Sequence, residues 1–378
     1  MTTARACTRP AAYSLTLSLS LFAASLPALL SAPAWASGEG EKNAKVTATP
    51  APSPVSGAAG EVNIYSYREP GLIQPLMDAF SKKTGIKTNV VYAKDGLIER
   101  IKAEGANSPA DVLLAVDIGR LTEAKESGIT QTIKTEEVDE HIPAAYRDPD
   151  GAWVGLSQRA RVVFASKERV KQDSITYAEL ADPKWKGKIC MRSGQHTYNV
   201  GLLAAIIAHD GEEKAAKWAE GVKNNLARKP AGGDRDQVKA IYAGECDIAV
   251  GNTYYMAAME TSDKPEQQEW AKSVKLLFPD SAGNGTHVNI SGAVLAKNAP
   301  HKDAGMQLID YLASPEAQKI YAEQVNEYPL DPAVAVSERV KAWGTLKPDA
   351  LPLLDVAKNR KAASEIMDKV GFDQGPGA

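Results

Sequence analysis

The chain has 378 residues, which at roughly 100–200 residues per domain allows two domains and a tail. Its 44 Lys+Arg against 47 Asp+Glu leave a net charge of −3, too little basic character for nucleic acid to be the main partner. With 44% hydrophobic and 24% charged residues, the composition excludes a collagen, a coiled coil, wholesale disorder and a polytopic membrane protein.

Residues 1–36 read as an export signal. Arg5 and Arg9 form a basic start, Leu15 to Leu30 is an apolar run, and Ala34-Trp35-Ala36 is a small-x-small cleavage site. The run is shorter than a membrane span and is broken by Ser and Pro, which disfavours a retained anchor. Residues 37–60 are rich in Ala, Pro, Ser and Gly without apolar periodicity, and are expected to be a disordered linker. The folded body should begin near Glu61. No later segment approaches ~18 uninterrupted apolar residues, so a soluble, periplasmic mature protein is expected.

Cys7 precedes the apolar run and would be removed with it, leaving Cys190 and Cys246. In an oxidising compartment two cysteines suggest one disulfide; two buried free thiols are the alternative. No second cysteine stands at a short spacing, so a zinc site is not expected.

The body alternates strands and helices. Val62 to Ser66 is a predicted strand, Leu72 to Thr84 a helix closed by Gly85, and Lys87 to Tyr92 a strand. Gly96 to Gly105 is a helix, Ala110 to Val116 a buried strand, and Gly119 to Ser127 a helix. This βαβαβα order implies a mainly parallel sheet flanked by helices. The pattern restarts with strands at Lys188–Met191 and Asp247–Val250, and helices at Tyr198–His209, Glu212–Asn225 and through Met256 and Met259. Strands recur at Val274–Phe278 and Val288–Leu295. Helices follow at Asp303–Leu312, Pro315–Val325, Val336–Trp343 and Leu351–Val370. Two α/β units with C-terminal helices describe a two-lobed protein with a cleft. The expected division is 61–157 plus about 284–300, then 158–283, then helices over 301–378.

In such folds ligands sit outside the carboxyl ends of strands. Those ends here carry Tyr65 and Tyr67, then Tyr198, then Tyr254 and Tyr255. Phe occurs only 5 times but Tyr 13 times, so this placement is informative. Tyr254 and Tyr255 follow Thr253, read as a helix N-cap. Neighbours on a helix lie about 100° apart, so both phenols can face one cleft. Phenolate is a hard ligand suited to Fe³⁺; the alternative is an aromatic pair packed in the core or at a subunit contact. A second Tyr-bearing loop at Tyr198 favours the ligand reading.

Arg68, Arg159 and Arg161 are candidate anion clamps, since guanidinium grips a planar oxyanion with two donors. Arg159 and Arg161 alternate and would share one strand face, with surface charge the expected role for one of them. Gly232 to Gln237 lacks the Lys-Ser/Thr of a phosphate loop and reads as a turn and helix cap. Only His196 and His287 sit near the proposed cleft, and no His pair has metal-ligand spacing. No nucleophile–base set is present, so no catalytic step is expected.

At these residues the chain resembles the periplasmic ferric-iron-binding proteins of bacterial iron ABC importers, the bacterial analogues of transferrin. The matching segments include Val62 to Arg68, Ser108 to Val112, Gln158 to Val162, Met191 to Gly194, Gly232 to Gln237, Asn252 to Tyr255 and Gly285 to Gly292. The resemblance implies a type II-like periplasmic-binding-protein fold, with Tyr198, Tyr254 and Tyr255 as iron ligands. Some members of the family carry a His after the Arg of the first motif. Glu69 stands there in this chain, which removes that His and makes Glu69 an outside carboxylate candidate. The resemblance further implies a synergistic anion such as carbonate, held by Arg159 with Arg68 and Tyr67 nearby. It implies an ABC permease with its ATPase as partners, and a monomer. The lobes would hinge near Leu156–Arg159 and Asn284–Ser291. A same-fold binder of a polyamine or thiamine is the alternative; an exported iron-dependent oxidoreductase fits less well.

Overall fold

The computed structural model describes residues 60–377. The expected signal peptide and almost all of the expected linker lie outside them. The body opens at its expected place with β1 (Glu61–Ser66), α1 (Pro70–Thr84), β2 (Lys87–Tyr92), α2 (Leu97–Glu104), β3 (Val112–Val116) and α3 (Ile118–Glu126). In α1, Pro70 occupies the first turn, where its missing N–H costs nothing. Ile73, Leu76, Met77 and Phe80 then recur on one face and are buried. Gly85 ends the helix at a φ of 76°, the left-handed region that favours glycine.

β4 (Thr130–Gln131) and α4 (Glu136–His141) lead into β5 (Val154–Ser166). Then come β6 (Ile189–Cys190), α5 (Thr197–Asp210), α6 (Glu212–Asn225), α7 (Asp234–Tyr242) and β7 (Ile248–Asn252). They are followed by α8 (Tyr254–Glu260), α9 (Pro265–Ser273), β8 (Val274–Leu277) and β9 (Val288–Ala296). The chain closes with α10 (Lys302–Ala313), α11 (Pro315–Ile320), β10 (Tyr328–Pro329), α12 (Glu338–Ala342), α13 (Leu353–Lys358) and α14 (Arg360–Lys369). The terminal region expected as one helix over Leu351–Val370 breaks at Asn359 into α13 and α14.

The main strand order is β2-β1-β3-β9-β5-β7-β6. β1 pairs parallel with β2 and β3, and β6 parallel with β7. The long strands between them run antiparallel: β9 against β3, and β5 against β9, β7 and β8. β5 is 13 residues long and buried throughout. Its first half lies against β9 and its second half against β7 and β8, so this one strand joins the two α/β regions. The two expected hinge segments, Leu156–Arg159 and Asn284–Ser291, meet in this ladder, where Ser157, Gln158 and Arg159 pair with Ser291, Ile290 and Asn289. The result is a mixed α/β fold in which helices flank one ten-stranded sheet.

A disulfide joins Cys190 at the end of β6 to Cys246 just before β7, with Cα atoms 5.9 Å apart. It clips together the two parallel strands whose following loops carry Tyr198 and Tyr254. Among the described residues no helix is long and apolar enough to cross a membrane.

Candidate metal centre

A cleft of about 890 Å³ opens at the carboxyl ends of these strands. Tyr198, Tyr254 and Tyr255 meet there, from two loops. Tyr198 stands in the first turn of α5, and its hydroxyl lies 3.0 Å from that of Tyr254. Tyr254 and Tyr255 are the first two residues of α8, and their rings pack with centroids 4.4 Å apart. Thr253 does not cap this helix. Its own backbone is helical, and its Oγ1 instead accepts from the Ala160 N–H of β5. A cap residue takes an extended backbone that brings its side-chain oxygen to the first helix amides, and the helical backbone of Thr253 does not.

Burial, and then the neighbouring phenols, push the Tyr254 hydroxyl well above the ordinary tyrosine value. Burial, Tyr198 and Asp234 do the same to Tyr255. Both are therefore neutral near neutral pH without a cation. Three guanidinium groups surround the Tyr198 ring: Arg159, Arg161 and Arg192 lie 5.6, 5.5 and 5.2 Å from its centroid. The assembly offers hard oxygen donors in a cationic frame.

Arg159 and Arg161 share one face, as their alternation predicts, but neither is surface charge. Both are 2% exposed. Both terminal nitrogens of Arg161 are engaged, donating to Asp234 at 2.7 Å, Asn252 at 3.1 Å and Asn199 at 2.7 Å, and only its Nε lacks a partner. Arg159 donates one hydrogen bond, from Nη1 to Ser291 Oγ at 3.2 Å, and its buried Nη2 has no partner. A buried guanidinium nitrogen left unpaired is costly, so this position suits an oxyanion from solution. Arg159, Arg161, Tyr198, Asn252, His287 and Asn289 line a small hollow there.

The other expected anion contacts are committed elsewhere. Arg68 lines the cleft, but both its terminal nitrogens donate to the fully buried Glu327 at 3.1 Å, and Nη1 also donates to Ser291. Tyr67 Oη accepts the Leu97 and Ile98 N–H groups, capping α2, and Arg120 covers its ring at 3.9 Å. Glu69 stays at the cleft edge, where Arg235 approaches it at 3.4 Å. Among the described residues no group of three or more His, Cys, Asp or Glu could hold a metal ion.

His196 and His287 both border these hollows. Burial and then Arg192 lower His196 to about 3, and burial lowers His287 to about 4. His196 caps α5 by accepting from the Tyr198 N–H at 3.3 Å, and its ring stands edge-on to Tyr198. Sequence reasoning missed Asp234, which pairs with both Arg161 and Arg192, and Tyr92, a further phenol on the cleft. Asp234 was visible only as part of the Gly232–Gln237 turn, which does cap α7 as expected.

This fold and cleft define a solute-binding protein. Residues 107–348 match the model of the bacterial extracellular solute-binding protein family, and the chain belongs to that family. It is 42% identical over 318 residues to iron uptake protein A1 of Synechocystis sp., covering 84% of this chain and 88% of that one. It is also similar to the solved apo ferric ion-binding protein A of Pasteurella haemolytica. There the TM-score is 0.80 and the identity 49%, over 83% of this chain and 99% of that one. IdiA (FutA) of Trichodesmium, solved in complex with iron and citrate ligands, matches with TM-score 0.77 and 46% identity, over 83% of this chain and all of that one. These relatives are uptake and binding proteins, not enzymes.

Proposed function

We propose that this protein captures ferric iron in its cleft and delivers it to an inner-membrane ABC permease from the periplasm. Tyr198, Tyr254 and Tyr255 are the phenolate ligands, and Arg159 holds a synergistic anion. The observation that carries the reading is the meeting of three phenols, two of them with hydroxyls 3.0 Å apart, in a cleft framed by arginines. A trivalent ion supplies the charge that makes phenolate favourable in a buried setting. The iron-binding names and ligands of the relatives support the choice of metal. Carbonate fits the unpaired Arg159 nitrogen, and the citrate in the Trichodesmium complex is an oxyanion of the same kind.

The lobes are residues 61–157 with about 284–300, and 158–283, and they close by flexing where β5 crosses β9. Closure is selected because the closed state offers the ion more ligands. Titration of the purified protein with ferric citrate tests the reading. A visible phenolate-to-iron charge-transfer band that saturates at about one ion per chain is expected. A colourless protein that retains no iron overturns it.

A further inference from the structure

A triad centred on a buried carboxylate stands beside the tyrosines without belonging to them. Asp117 follows β3 and is completely buried, with a φ of 82°, a conformation that a side chain with a Cβ adopts at a cost. Its Oδ1 accepts the Gly119 N–H at 2.9 Å and so caps α3. Its Oδ2 reaches across to α5 and accepts the Thr197 hydroxyl at 2.5 Å. Arg360, the first residue of α14, completes the triangle. Its Nη1 donates to Asp117 Oδ2 at 3.2 Å and its Nη2 to Thr197 Oγ1 at 3.1 Å. A third donation runs from Nη1 to the Thr197 carbonyl at 3.4 Å.

The triad joins three parts of the chain, since Asp117 lies 80 residues from Thr197 and 243 from Arg360. Thr197 is the residue next to Tyr198, at the start of α5. Holding its hydroxyl and its carbonyl therefore sets the first turn of that helix, from which the Tyr198 phenol projects. Burial raises the Asp117 carboxyl, but Arg360, then Arg159 and the Thr197 hydrogen bond, outweigh it and hold the group below its ordinary value. Asp117 is thus ionised, and its bonds to Arg360 and Thr197 are charge-assisted. Gly119 makes room for the contact: a Cβ there would stand 1.9 Å from Arg360 Nε.

We propose that Asp117, Thr197 and Arg360 form a latch that positions Tyr198 for the metal, which makes the C-terminal helix α14 a working part of the binding site. All three are positioning residues; none is a ligand. The inference rests on Tyr198 being a ligand, as proposed above.

The latch makes a specific demand on side chains. Thr197→Ser keeps the bridging hydroxyl, whereas Thr197→Val keeps the shape and loses it. Gly119→Ala favours the helix by propensity but displaces the flexible end of Arg360. Ferric titration should show about a tenfold loss of affinity in Thr197→Val and Gly119→Ala, and near-wild-type affinity in Thr197→Ser, the size expected of residues that orient a ligand. The charge-transfer band should shift in the first two variants only. Hydrogen exchange in metal-free protein reads the latch without iron: the first-turn amides of α5 should exchange faster in Thr197→Val and not in Thr197→Ser. Equal exchange in all variants, or a Thr197→Ser as impaired as Thr197→Val, overturns the latch. A wild-type protein that binds no iron overturns the metal reading instead, and the exchange measurement then decides the latch alone.

Discussion

The hydroxyls of Tyr198 and Tyr254 stand 3.0 Å apart, although 56 residues separate them. Each sits at the head of a helix that follows one of two adjacent parallel strands, β6 and β7, so the sheet itself sets their separation. As neutral phenols they satisfy each other with one hydrogen bond. Both protons must leave for a metal ion to bind between them. That exchange ties affinity to ligand identity, to charge and to pH.

Tyr254→Phe and Tyr255→Phe are expected to weaken ferric binding by ~100-fold or more, because even partners outside the coordination shell are worth 10–100-fold. The ring contact between Tyr254 and Tyr255 persists in either variant, so the melting temperature should hold. Ferric citrate titration, read at the charge-transfer band, checks this; unchanged affinity in both variants would remove these tyrosines from the site.

Arg159→Gln tests the anion. The native Nη2 is buried without a partner, so wild-type protein should bind iron more tightly when bicarbonate or citrate is supplied. The variant should lose that enhancement, by roughly 10- to 100-fold if one charge-assisted hydrogen bond of ~1.5–3 kcal/mol is lost. Calorimetric iron titrations with and without each anion give the answer. An equal anion effect in both proteins counts against Arg159 as the clamp.

Acid should release the metal. Tyr254 and Tyr255 are raised above the ordinary tyrosine value, by burial first and by neighbouring phenols second. Protons therefore occupy the free site throughout the neutral range. Each phenol deprotonated on binding makes the affinity fall about tenfold per unit decrease in pH. Fe²⁺, with less charge, offsets this deprotonation less. Paired titrations at two pH values, aerobic with Fe³⁺ and anaerobic with Fe²⁺, should show Fe³⁺ favoured and its affinity falling in acid. A ferric affinity independent of pH would rule out phenolate ligation.

Reduction of the Cys190–Cys246 bond should destabilise the fold and loosen the site together. The bond spans 56 residues, for which loop entropy allows about 4 kcal/mol. The melting temperature of Cys190→Ser with Cys246→Ser should drop by several degrees, and ferric affinity should fall with it, because β6 and β7 carry the two tyrosine loops. Normal melting and normal binding in the double variant would deny the bond both roles.

The order of strands and helices was legible in the sequence alone, because apolar period and turn residues are local signals. α1 shows this best, with its buried face at Ile73, Leu76, Met77 and Phe80 and its closing Gly85. The cleft tyrosines were legible for a related reason: ligands in such sheets collect at strand ends, and tyrosines stood at three of them. β5 was less so. Arg159 and Arg161 alternate as on a strand, but the burial of all 13 residues, Gln158 and both arginines included, is not a local signal. Which arginine stays available was decided only by the tertiary structure. Arg159 and Arg161 share a strand face, but Asp234, 73 residues on, claims Arg161, and Glu327, 259 residues on, claims Arg68. Of these three, Arg159 is the one left with an unpaired terminal nitrogen. A buried charge takes whichever partner the fold brings within about 3 Å, and local spacing holds no information about a carboxylate that arrives from the far end of the chain.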